Sequence, residues 1–85
     1  MITKQTVAEG IAAYLRHELS LAQLVDWAEQ AVMAGEFPER EAADLVKVVA
    51  RLGVADVRAF GLTWEDCESL LRQLGYAAKI ELAPA

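Results

Sequence analysis

Apolar residues recur along this chain at intervals of three and four, and polar punctuation separates the runs. In the first run, Val7, Ile11, Tyr14 and Leu15 fall on one face at helical spacing. Thr3 or Thr6 suits its N-cap, and Thr6 with Glu9 has the spacing of a capping box. Gly10 lies inside this helix, where glycine costs about 1 kcal/mol relative to alanine. It reads as an imperfection of the helix rather than as a point of close backbone approach.

"LSLAQL" is the next start signal. Ser20 takes the N-cap, Gln23 the third helical position, and Leu19 can staple to Leu24 across the cap. The second helix should run from about Leu21 to Ala34 and bury Leu21, Leu24, Val25, Ala28, Ala31 and Val32, with Trp27 on its flank. Gly35 should close it in the left-handed conformation. Pro38 then suits the first turn of a third helix, with Glu39 and Glu41 at its positive end. Ala42, Leu45, Val46, Val49 and Leu52 make the inward stripe, and Gly53 should end the helix with Val54 folding back on Val49.

A short helix is expected from about Val54 to Phe60, broken by Gly61. Thr63 caps the fourth main helix, Asp66 sits at its third position, and Cys67, Leu70, Leu71 and Leu74 form its buried stripe. Gly75 terminates it, and Tyr76 can fold back on Leu71. In the tail, Tyr76, Ala78, Ile80 and Leu82 alternate with Ala77, Lys79 and Glu81, which is strand spacing. A strand needs a partner: "MIT" at the start, the same strand in a second copy, or an edge on another protein. A frayed terminus is the plain alternative. The expected fold is all-α, a compact bundle of four main helices plus one short one, with a candidate C-terminal β-strand, in one domain spanning residues 1–85.

Composition supports a folded core, since 55% of residues are apolar. No apolar run approaches the roughly 18 residues of a membrane span, and the first residues lack the unbroken apolar core of a secretory signal. A single cysteine, Cys67, excludes an internal disulfide and fits a reducing cytoplasm. Thirteen acids against eight bases give a formal charge of -5. That field disfavours nucleic acid and anionic lipid and favours basic partners, or simply keeps the protein soluble.

Chemistry is poorly represented. His17, the only histidine, lies on the flank of the first helix with no second ligand at metal spacing. A Cys67–His17 pair is conceivable, but Cys67 falls in a buried stripe, where cysteine packs as a small apolar side chain. Glu65, Asp66 and Glu68 lack the pattern of a calcium loop and are explained by the helix dipole and the cap. No catalytic residue, cofactor or metal ligand is therefore expected.

"VADVRAFGLTWEDCESLLRQLGY" has helix-turn-helix spacing, and "AAKIELA" could supply a wing. The residues that would enter a groove are Trp64, Glu65, Asp66 and Glu68, and phosphates would repel the acids with no basic cluster to offset them. Arg40, Lys47 and Arg51, with Asp44 among them, look like a solvated face of the third helix. A divergent winged helix-turn-helix module is thus the second expectation. The first is a non-catalytic protein-binding domain, such as an inhibitor, antitoxin or immunity-type partner of a basic protein. Its candidate interface residues are Trp27, Met33 and Trp64, with Lys79, Ile80 and Glu81 of the tail, through which a homodimer could also form.

Overall fold

A computed structural model describes residues 1–57, 61–79, 82 and 84. The molecule is all-helical, with α1 over Lys4–Leu15, α2 over Leu21–Ala34, α3 over Ala42–Gly53 and α4 over Trp64–Gln73. Three of the four helices begin with a capping box. Thr3, Ser20 and Thr63 each accept from the backbone N–H three residues on, and the side chain of that third residue reaches back to the cap. Such caps contribute about 1 kcal/mol each. For α1 the cap is Thr3, with Thr6 at the third position, so Thr6 and Glu9 are not the box.

The other helix ends depart from expectation in instructive ways. Gly35 is extended, with φ -75° and ψ 150°, not left-handed. It is needed for close approach: a Cβ there would collide with the Ile2 side chain and lie 2.5 Å from the Ala31 carbonyl oxygen. Beside it, the Ile2 N–H donates to the Glu36 carbonyl at 2.7 Å, tying the chain's start to the α2–α3 loop. Pro38 precedes α3 rather than starting it, because the Glu41 N–H closes a tight turn onto the Pro38 carbonyl at 3.0 Å. Glu41 caps α3 without a side-chain bond. Gly53 is the last residue of α3, and Val54, not a left-handed glycine, caps it.

A left-handed closure does occur at Gly75, with φ 88°. The Gly75 N–H donates to the Arg72 carbonyl at 3.0 Å and the Tyr76 N–H to the Leu71 carbonyl at 2.8 Å. These are the two bonds of a Schellman motif. The same pair of bonds ends α1, where Glu18 donates to Ala13 at 2.9 Å and His17 to Tyr14 at 3.1 Å. Here the left-handed residue is His17, with φ 62°. His17 therefore stands beyond the end of α1, not on its flank.

The core is one cluster drawn from all four helices: Val7, Ile11, Leu24, Ala28, Leu45, Val49, Leu52, Cys67, Leu70 and Leu71 are among its members. The most extensive helix pairing joins α2 to α3. Ala28 of α2 lies there beside Gly53 of α3, its methyl 4.0 Å from where a Cβ on Gly53 would stand. Val48 is buried and Val46 is not, so the inward stripe of α3 is Leu45, Val48, Val49 and Leu52. Val32, also expected inside, is exposed. Both misplacements have one cause: a run of apolar residues fits two stripes a fraction of a turn apart, and packing selects one.

No fifth helix and no strand occurs among the described residues. Residues 54–57 run as turns, the Val57 N–H donating to Val54 at 3.0 Å. The remainder of the expected short helix, 58–60, lies outside the described residues. Tyr76 to Lys79 are not strand, and Ile80 and Glu81 lie outside the described residues. No helix among the described residues is long and apolar enough to cross a membrane.

Candidate binding groove

The C-terminal end of α1 faces the N-terminal end of α4: Tyr14, Leu15 and His17 line one small cleft with Leu62, Thr63 and Trp64. Past the Schellman turn at Gly75, the chain turns back over α1 instead of leaving the bundle. Between α1, α4 and this returning segment lies an open groove of about 580 Å³. Its α1 side is a single face of the helix, formed by Gln5, Ala8, Glu9, Ala12, Leu15 and Arg16. The opposite side is Trp64, Leu71, Tyr76, Ala77, Ala78 and Lys79.

Two alanines one turn apart, Ala8 and Ala12, set the depth of this groove, since neither side chain fills it. Trp64 and Tyr76 form aromatic walls, exposed to 37% and 43% respectively. Ala78, by contrast, packs against the core and holds the returning segment in place. Charged and polar groups stand on the rim. Gln5 donates to Glu9 at 3.2 Å, and Arg16 pairs with Glu18 at 2.7 Å. Among the described residues Lys79 forms no ion pair.

Of the residues singled out from sequence, the structure brings Trp64 and Lys79 together in this groove. Trp27 is half-buried and packs against the core. Met33, 86% exposed, stands apart from the groove near the end of α2. Sequence reasoning missed Ala8, Ala12 and Leu71 as groove residues. The signal was present in the spacing of Ala8 and Ala12, but small residues on one helix face equally suit a tightly packed core. Ala8 is in fact a core residue, 7% exposed, and Ala12 is half-buried, so the two line the groove only as its floor.

Asp66, in the first turn of α4, has structural work. The Thr63 N–H donates to Asp66 Oδ2 at 2.9 Å, and the Asp66 N–H donates to Thr63 Oγ1 at 3.1 Å. Arg51 Nη2 approaches the same Oδ2 at 3.4 Å. The Thr63 backbone bond holds the Asp66 carboxyl below its ordinary range. Partial desolvation opposes this, and the Thr63 hydroxyl and Arg51 reinforce it. Glu68 lies 3.7 Å from Arg72. Cys67 is fully buried, and desolvation, helped by the neighbouring Asp66 charge, pushes its thiol up to about 11. A thiol so placed is protonated and inaccessible at neutral pH, which makes it a poor nucleophile.

No family model, no curated protein and no solved structure matches this chain. The groove must therefore be interpreted from its own chemistry.

Proposed function

We propose that this chain is a small non-catalytic protein-binding domain that receives an apolar segment of its partner in the groove between α1, α4 and residues 76–79. The observation that carries the reading is the groove itself. Apolar and aromatic side chains line a concavity whose charges stand at the rim, the anatomy of an interface centre surrounded by polar groups. Tryptophan and tyrosine are the residue types that most often anchor such contacts. The formal charge of -5 adds a long-range preference for basic proteins. An inhibitor, antitoxin or immunity-type role toward a basic protein fits both features. A lone, buried, reduced thiol agrees with a cytoplasmic setting.

The nucleic-acid alternative finds less support on the same helix. Glu65 and Asp66 occupy the first turn of α4, and Glu68 follows. Phosphates brought there would meet carboxylates, at a cost that rises as salt falls.

Affinity capture from the source cells tests the proposal, using wild-type, Trp64→Ala and Met33→Ala proteins as baits. A partner retained by wild type and by Met33→Ala, but lost with Trp64→Ala, supports docking in the groove. A partner lost only with Met33→Ala moves the interface to the α2 end and refutes this site. Retardation of duplex DNA at about 50 mM salt would favour the nucleic-acid alternative.

A further inference from the structure

The groove's length, the small residues on its floor and the charge of its rim specify an occupant more narrowly than "apolar segment". We infer that it takes one amphipathic α-helix of about three turns, supplied by a partner protein, with carboxylates flanking its apolar stripe on the side that meets Lys79. This inference rests on the protein-binding reading above.

The α1 side of the groove runs from Gln5 to Arg16, about 16 Å at 1.5 Å per residue. That is three turns, the span over which a helix presents apolar residues at positions i, i+3 or i+4, and i+7. Ala8 and Ala12 sit on successive turns at the middle of this face, so an approaching helix can come close without meeting a large side chain. Leu15, Leu71, Trp64 and Tyr76 provide the apolar contacts around it.

Charge fixes the flank. The groove is lined by two bases, Arg16 and Lys79, and one acid, Glu9, although the whole chain carries -5. Glu18 already neutralises Arg16, and Glu9, which keeps its charge while accepting from the Gln5 amide, stands on the α1 side of the groove, across from Lys79. Lys79 is left as the lining cation without an ion pair among the described residues. A carboxylate on the occupant meets it; a lysine there is repelled. Net charge and rim charge act at different ranges, the first on encounter and the second on contact.

Two synthetic helical peptides with the same apolar stripe test this, one flanked by glutamates and one by lysines. Binding is measured by fluorescence anisotropy in about 150 mM salt, where the screening length of about 8 Å suppresses the distant charges. The glutamate peptide should bind about fivefold more tightly, the ratio that one exposed ion pair near the upper end of its range supplies. Lys79→Glu should reverse that order, and circular dichroism checks that the variant keeps its helices. If both peptides bind equally, or if the order survives Lys79→Glu, the charge inference is overturned while the groove reading stands. If neither peptide binds, the helical occupant is refuted as well. If dodecanoate binds in their place, the groove is a site for small amphiphiles, and both this inference and the protein-binding reading fall.

Discussion

Gly10 sits in the middle of α1, and replacing it by alanine should make the protein more stable. Glycine in a helix interior costs about 1 kcal/mol relative to alanine, much of it through the greater freedom of the unfolded chain. That gain is realised only if the new methyl has room. A Cβ built on Gly10 has its nearest neighbour in Leu24 Cδ1 at 3.8 Å, an ordinary van der Waals contact. No backbone atom approaches, and the residue has no positive φ. The expected net change is therefore a stabilisation of about 1 kcal/mol, or a rise of about 4–8 °C in Tm for a domain this small. Thermal and urea unfolding followed by circular dichroism measure it directly, with an unchanged m-value expected. Gly35→Ala is the matched control. There the same methyl would meet Ile2 and the Ala31 carbonyl oxygen, so that variant should lose stability. A destabilised Gly10→Ala would refute the packing described between α1 and α2.

Other outcomes follow from the same geometry. His17→Gly should stabilise by about 1 kcal/mol, because a left-handed residue with a Cβ carries roughly that penalty, and equilibrium unfolding checks it. Leu45→Ala should cost about 2–5 kcal/mol, a large share of the roughly 4–13 kcal/mol expected for a domain of this size, and should show as a collapse of the urea midpoint. Because the Asp66 pKa is lowered by folding, its stabilising contribution is present above the ordinary value of 3.8 and is lost as pH falls through the lower folded value. Asp66→Ala should therefore flatten the acid side of the stability profile measured by urea titration between about pH 5 and pH 2. Cys67 has the opposite sign. Its contribution is full below the ordinary 9.0 and is lost as pH rises toward about 11, and below that window a thiol reagent should react far more slowly with the folded than with the urea-unfolded protein.

Much of the fold was legible because helix starts and apolar periods agreed. Ser20 with Gln23 and Thr63 with Asp66 form the capping boxes their spacing announces, and Leu21–Ala34 has the bounds the pattern implies. Helix ends were harder to read. A glycine after an apolar stripe suggests a left-handed cap, yet only Gly75 closes its helix that way, while His17 does so without being glycine. Gly35 serves a tertiary contact with Ile2, which no local pattern encodes. In the third helix, valines on either side of Lys47 left the stripe ambiguous, and contact with the rest of the core chose Val48 over Val46. The groove was legible only in pieces. Trp64 and Lys79 stood out singly for their chemistry, but their meeting depends on the packing of α1 against α4 and on the turn after Leu74.

The most direct test of the docking surface is a chemical-shift map of the 15N-labelled protein titrated with the glutamate-flanked helical peptide. Saturable shifts should centre on Ala8, Ala12, Leu15, Leu71, Tyr76 and Lys79 and on the Trp64 indole. Shifts centred instead on Val32, Met33 and Val46, with the groove residues unmoved, would contradict the account.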